Sequence, residues 1–148
     1  MSWVPRRLET ARLILQPTGE GESPPQQDAA RTGLPNQWRV VPKDIEQVIG
    51  LIGIIRWDPE ARVAEIGFGI VQVMWGQGYM TEACRAVVDF GFEDMGLTRV
   101  EARCQITNPA SARVLEKIGM KREGVVRDRV HSKAPEEDFW LYAIDREA

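Results

Sequence analysis

A mixed β-sheet with helices packed on it, an α/β (α+β) fold, is what this sequence predicts, and three observations predict it. Strand-like apolar runs surround a few helical ones in the order β, loop, β, β, β, α, β, α, β, β. The run Thr98–Ile106 alternates apolar and polar residues with the period of a strand. Tyr79–Met95 and Asn108–Met120 carry helical spacing or helical punctuation instead. The 148 residues suit one domain, 1–148, and such a chain buries roughly 68–70% of the surface it exposes when unfolded.

The elements follow in chain order. Thr10–Pro17 (TARLILQP) is a short apolar run stopped by proline and forms the first strand. Thr18–Gln37 is rich in Gly, Pro, Gln and Ser and has no apolar period; it reads as a loop with at most one helical turn near Gln27–Arg31. Trp38–Val41 and Gln47–Trp57 flank the turn-like Pro42–Glu46 and predict a hairpin. Ala61–Val71 is a further strand, in which Gly67 and Gly69 point to a bulge or a close backbone approach.

On the helix Tyr79–Met95, the residues Met80, Ala83, Val87, Phe90 and Met95 share one face. The alternating strand puts Val100, Ala102, Cys104 and Ile106 on one side and Arg99, Glu101, Arg103 and Gln105 on the other. Asn108 then suits an N-cap, Pro109 the first helical position, Lys117 the last turn and Gly119 the residue past the end. Arg122–Val130 and Asp138–Asp145 close the chain as a hairpin joined by the polar link His131–Glu137.

Composition excludes several function classes. Hydrophobic residues are 43% and charged residues 28%, ordinary values for a soluble globular protein. The formal net charge of -3 argues against nonspecific nucleic-acid binding, which needs a basic excess. Cys84 and Cys104 form no CxxC pair and His131 is the sole histidine, so neither a metal site nor histidine catalysis is expected. Both cysteines read as small core residues in a reducing cytoplasm. The N-terminal stretch lacks the apolar segment of a secretion signal, and no run approaches the roughly 18 apolar residues of a membrane-spanning helix.

The candidate site is Gly76-Gln77-Gly78, set between a strand and a helix. The first turn of a helix has unpaired N–H groups and the positive end of the dipole. Glycines remove the Cβ atoms that keep a ligand away, so successive N–H groups can surround a phosphate. This is no dinucleotide fingerprint, because Thr81 stands where GxGxxG needs its third glycine, and it lacks the Gly-Lys-Ser/Thr ending of a P-loop.

The segment Ala64–Gly124, with TARLILQP near the start and DFWLY near the end, resembles the core of the GNAT acyltransferase superfamily. WGQGYMTEA and NPASARVLEKIGM carry the resemblance most directly, in the order and at the spacing of the RimJ/RimL-like branch, which includes N-terminal acetyltransferases of ribosomal proteins. The resemblance implies a V-split mixed sheet with acetyl-CoA lodged where two central strands diverge. It implies that the pyrophosphate rests on the amides around Gly76, Gln77, Gly78, Tyr79 and Met80, that the pantetheine arm runs beside the strand end near Val71 and Val73, and that Asn108 lies near the cofactor. No metal is implied.

The implied reaction is direct attack of a primary amine on the thioester, the acceptor being a protein N-terminus or a small-molecule amine. An α-amino group (pKa about 7.7–8.0) becomes neutral far more readily than lysine (about 10.4). Glu65 matches a strand position where some members carry a catalytic glutamate; its structural alternative is a plain strand carboxylate. Ser111 resembles the branch's serine proposed to protonate the leaving thiolate, against the alternative of a first-turn residue in a local hydrogen bond. Asn108 can serve as N-cap and cofactor neighbour together.

Many members carry a tyrosine acid where this chain has Leu115, which has no proton to donate. Tyr142 is another phenol and reads as a core or pocket-wall residue. His131 and Asp138 read as surface residues of the final hairpin, and Trp57 and Trp75 as packing residues.

Two departures stand out. Val73 replaces a Gln or Arg common in the superfamily. The two helices normally inserted between the first two strands are reduced to the loop-like Thr18–Gln37, where Pro24-Pro25 would interrupt a helix. The donor half is intact and the acceptor half shortened. This supports an N-acetyltransferase whose acceptor site is open, or completed by a partner copy in a homodimer. The alternative is an acyl-CoA-binding sensor or interaction module without significant turnover.

Overall fold

The structure, a computed structural model, describes residues 5–18, 37–126 and 138–146. Within them lie β1 (Leu8–Glu9), β2 (Leu13–Pro17), β3 (Gln37–Pro42), β4 (Gly50–Asp58), β5 (Val63–Ile70), a 3-10 turn (Gln72–Met74), α1 (Tyr79–Glu93), β6 (Arg99–Gln105), α2 (Pro109–Lys117), β7 (Lys121–Val126) and β8 (Phe139–Asp145). The strands form a single sheet in the order β1-β2-β3-β4-β5-β6-β8-β7. Every neighbouring pair is antiparallel except β5 and β6, which run parallel. The mixed sheet and its two packed helices agree with the expected fold class.

The expected first strand starts at Leu13, and a two-residue strand, Leu8–Glu9, precedes it. Thr10 exchanges hydrogen bonds with Leu13, its amide donating to the Leu13 carbonyl at 2.9 Å and its hydroxyl accepting from the Leu13 amide at 3.0 Å. The resulting turn folds Leu8–Glu9 back onto Ile14–Leu15. A two-residue strand carries too few residues to show a period, so it was invisible in the pattern.

The bulge expected at Gly67 or Gly69 sits on the neighbouring strand, where the β4–β5 register shifts between Ile54 and Arg56. Gly67 accommodates it: a Cβ there would stand 3.2 Å from Ile55. The close contact at Gly67 is with the Ile55 side chain, and the distortion belongs to the partner strand.

Helix α1 buries Met80, Ala83, Val87 and Phe90, the predicted face, together with Cys84 and Val88. It ends at Glu93, short of Met95, which is still buried in the core. Trp38 from β3 is fully buried and stands edge-on to Phe90, with ring centroids 5.3 Å apart. Its indole N–H donates to the Arg6 carbonyl at 2.8 Å, so the buried polar atom is satisfied. An edge-to-face pair of this kind adds about 0.5–1.5 kcal/mol beyond area burial.

On β6, Val100, Ala102 and Cys104 face this core as predicted, whereas Ile106 lies past the strand end and is exposed. Both cysteines are buried, and burial raises both thiol pKa values, so they are protonated packing groups. Both helices pack on one face. Among the described residues no helix covers the other, which carries Arg56, Glu65, Arg99, Glu101 and Arg103.

The segment expected as a shortened loop lies almost wholly outside the described residues, and the link His131–Glu137 lies outside them entirely. The ends of that loop are joined by β2–β3 pairing, with Thr18 donating to the Gln37 carbonyl at 2.9 Å. Among the described residues no helix is long and apolar enough to cross a membrane.

Candidate donor site

The site begins where the parallel pair stops pairing. β5 and β6 are in register only from Val63–Arg99 to Ile66–Ala102. Beyond that, β5 continues to Ile70 against β4 and β6 continues to Gln105 against β8, so the two strands diverge. The half-buried end of β5, Phe68–Ile70, lines a cleft of about 260 Å³. The other walls are Met74–Gly76, the first turn of α1, Asn108 just before α2, and the α2 residues Ala110, Ser111, Arg113, Val114 and Lys117.

Two helix N-termini therefore meet at one cleft. Gly76 and Gly78 have φ of +80° and +81°, and Gly78 is the N-cap of α1. This left-handed conformation is the reason for glycine at both positions. No side chain caps α1. Among the described residues, no acceptor is recorded for the amides from Gly76 to Thr81. A Cβ on Gly76 would meet no atom within 4 Å, so the turn is open on that side. Unpaired N–H groups, a dipole end and open space fit an anionic ligand such as the pyrophosphate of CoA. Arg113 and Lys117, a turn apart on α2, add positive charge to the wall.

Helix α2 carries the punctuation read from its sequence. Asn108 caps it by accepting from the Ser111 amide at 3.2 Å, Pro109 opens it, and Gly119 follows it at φ +96°. Ser111 lies on the cleft wall, half-buried, and its hydroxyl has no partner among the described residues. Leu115 is fully buried in the core. Tyr142 is buried as well and donates its phenol proton to Glu116 at 2.8 Å. Burial, the bond to Glu116 and its negative charge push the Tyr142 pKa up to about 12. It lines no part of the cleft.

Of the predicted residues, Gly76, Gly78, Tyr79, Met80, Asn108 and Ser111 come together at the cleft. Val71 and Val73 do not. The strand ends at Ile70, the Val71 amide donates to the Ile49 carbonyl, and its carbonyl accepts from Met74, so Val71 has no free backbone edge. Val73 is 77% exposed on the 3-10 turn. On β5, Phe68–Ile70 lines the cleft instead.

Trp75 corrects the packing expectation: it is 50% exposed on the cleft wall, with its indole N–H on the Ile70 carbonyl at 3.1 Å. Trp57 does pack against the core. Asp138 is half-buried at the start of β8 and accepts the Ile106 amide on its carbonyl at 3.1 Å.

Glu65 is only 4% exposed and stands at the vertex of the strand split, on the face away from the helices. Arg56 from β4 binds its Oε1 at 2.7 Å, and Arg103 from β6 approaches the same oxygen at 3.4 Å. Burial raises the Glu65 pKa, opposed by Arg103 and Arg56 and reinforced by Glu101. The structure thus makes it a clamped, buried carboxylate rather than a solvent-facing one.

Sequence reasoning missed Arg12. Its Nη1 donates to the Gln77 carbonyl at 2.9 Å, its Nε to Glu82 at 2.8 Å, and its guanidinium lies 4.5 Å from the centre of the Tyr79 ring. A charge inside an apolar strand-like run was the available signal.

Comparison with known proteins agrees with this architecture. The chain matches the acetyltransferase (GNAT) domain family over residues 1–121. It is 30% identical over 117 residues to the uncharacterized N-acetyltransferase p20 of Bacillus licheniformis, covering 79% of this chain and 66% of that protein. It is 29% identical over 98 residues to the ribosomal-protein-serine acetyltransferase of Escherichia coli, covering 66% of this chain and 55% of that protein. The match therefore spans less than two-thirds of the length of either relative.

A GNAT-family acetyltransferase from Bacillus anthracis shares the fold with a TM-score of 0.77 at 23% identity, covering 95% of this chain and 98% of that one. RimJ of Mycobacterium smegmatis, solved with CoA-disulfide, superposes with a TM-score of 0.64 at 26% identity over 78% of this chain and 55% of that one. With a family match over most of its length and a strand split opening on two helix N-termini, this chain belongs to the GNAT acetyltransferase family.

Proposed function

We propose that the protein is an acetyl-CoA-dependent N-acetyltransferase that moves an acetyl group from the thioester to a primary amine by direct attack. One observation carries the reading: two helix N-termini and the unpaired edge of β5 converge on one cleft at the strand split. The amides of Gly76, Gln77, Gly78, Tyr79 and Met80 hold the pyrophosphate, supported by Arg113 and Lys117. The edge Phe68–Ile70 supplies the backbone groups that receive the pantetheine arm.

Acetyl-CoA supplies the activated acyl group. The chain's residues manage protons. Ser111, at the N-terminal turn of α2, protonates the leaving thiolate and regains the second proton that the attacking nitrogen sheds as the amide forms, and the helix dipole favours negative charge there. Glu65 takes a proton from the incoming ammonium, directly or through water. Burial raises its proton affinity toward that task, and its Oε2 carries neither of the arginine contacts. The acceptor is a protein N-terminus or a small-molecule amine, and a partner copy in a homodimer completes its wall. The named acceptor of the E. coli relative, a ribosomal protein, puts protein N-termini first.

The test is free-thiol release from acetyl-CoA across peptide N-termini, polyamines and aminoglycosides, with CoA binding followed by calorimetry. Thiol release with at least one acceptor is expected. Binding without release across the panel overturns the enzyme reading in favour of an acyl-CoA-binding module, and no binding at millimolar CoA removes both.

A further inference from the structure

The turn before α1 holds two glycines in left-handed conformation, separated by Gln77 alone. Neither has a Cβ, so little steric resistance opposes rotation of the peptide planes between them. A phosphate seat needs the opposite property, because each N–H must point into the cleft before the ligand arrives. Something outside the turn has to hold its planes.

We propose that Arg12 is a positioning residue that sets the Gln77–Gly78 peptide plane and so aims the Gly78 N–H into the cleft. The inference rests on the reading of this turn as the pyrophosphate seat. Arg12 Nη1 donates to the Gln77 carbonyl at 2.9 Å. A trans peptide is planar, so the N–H of Gly78 points opposite to that carbonyl, away from Arg12. Arg12 lies in the groove between the β1–β2 hairpin and α1, and Gly78 borders both this groove and the cleft. Pinning the carbonyl on the groove side turns the amide toward the cleft side.

Arg12 is itself held firmly. Its Nε binds Glu82 Oε1 at 2.8 Å and its own backbone amide binds Glu82 Oε2 at 2.8 Å. The Thr10 hydroxyl donates to the same Oε2. Burial works to raise the Glu82 pKa, but the bonds from Thr10 and from the Arg12 amide and guanidinium outweigh it and keep the carboxyl below its ordinary value. The guanidinium also lies over the Tyr79 ring. Tyr79 and Glu82 both belong to the first turn of α1, so the clamp and the seat move as one body. Glu82 offsets the charge of Arg12, and what reaches the seat is orientation rather than net positive charge.

A plain structural staple between hairpin and helix would also use the Glu82 bonds. The two accounts differ at a single amide, and NMR of the 15N-labelled chain titrated with CoA reads it. In the wild type, the Gly78 amide proton should move downfield on saturation with CoA as it donates to phosphate. In Arg12→Ala that movement should be lost, and CoA binding by calorimetry should weaken about 10- to 100-fold, the worth of a hydrogen bond to a charged group. The Ser111 amide, already bonded to Asn108, should respond alike in both.

Arg12→Lys keeps the charge and the pairing with Glu82 but cannot serve Glu82 and the Gln77 carbonyl together. It should weaken binding about tenfold, and it gives the same readout if the alanine variant does not fold. A full-sized Gly78 response with unchanged affinity in both variants overturns the role of Arg12 alone. A wild type that binds CoA without moving the Gly78 amide overturns the seat and the inference together.

Discussion

Replacing each turn glycine by alanine separates backbone strain from contact strain, because Gly76 and Gly78 share one conformation and differ in surroundings. Both sit near φ +80°, where a Cβ costs about 1–2 kcal/mol. Alanine also loses less freedom on folding than glycine, which returns about 0.4–1 kcal/mol. At Gly76 the new methyl meets no atom within 4 Å, so the net loss is about 1 kcal/mol. At Gly78 it stands 3.2 Å from Arg12 Nη2 and must push the guanidinium aside.

The Arg12 side chain is 46% exposed, so solvent screening discounts its bonds to roughly 1 kcal/mol. The total for Gly78→Ala is then about 2 kcal/mol. In a chain of 148 residues each kcal/mol moves the melting temperature by roughly 3–4 °C. Thermal melts should therefore show losses of about 3–4 °C for Gly76→Ala and about 6–8 °C for Gly78→Ala. In an Arg12→Ala background the Gly78→Ala loss should shrink to that of Gly76→Ala. A Gly76→Ala variant as stable as the wild type would refute the strain argument. An unchanged Gly78→Ala penalty without Arg12 would refute the contact.

Two further substitutions probe the cleft and the core beside it. Ser111→Ala keeps the backbone amide that Asn108 accepts, so stability should change by less than about 0.5 kcal/mol. Its thiol-release kcat should fall about 100-fold or more with the KM for acetyl-CoA unchanged, and an unchanged kcat removes its proposed role as acid. Tyr142→Phe should leave thiol release intact and alter only the alkaline limb of stability. The phenol pKa rises from its ordinary value of 10.0 to about 12 on folding, so the native state keeps a proton that the unfolded chain has released. That contribution is complete below pH 10 and is lost as pH rises toward 12. Melts of the wild type should lose stability across this window relative to Tyr142→Phe, and parallel curves would contradict the environment assigned to the phenol.

Local features were legible because neighbouring residues carry them. The caps of α2 lie within a dozen positions: Asn108 accepting from Ser111, Pro109 at the first position, Gly119 past the end. The apolar face of α1 follows from spacing alone. Glycines before a helix announce a left-handed turn because few other residues tolerate one. Misreadings arose where pairing decided the outcome. Val71 belongs by composition to the strand before it, yet the Ile49 carbonyl takes its amide and the chain turns at Gln72. Trp75 is large and apolar, and a core position was the natural expectation. Its place on the cleft wall follows from the turn that precedes it.

By itself, then, the sequence determined most of the elements, the left-handed glycine turn before α1 and the family. Tertiary structure alone decided where β5 and β6 part, that α1 and α2 point their N-termini into one cleft, that Glu65 is buried between Arg56 and Arg103, and that Arg12 reaches Gln77 across 65 positions of chain. Periodicity and capping depend on a few adjacent residues, so they can be read along the chain. A strand split and a clamp exist only after strands distant in sequence have paired, and no local pattern encodes which partner a hydrogen bond will find.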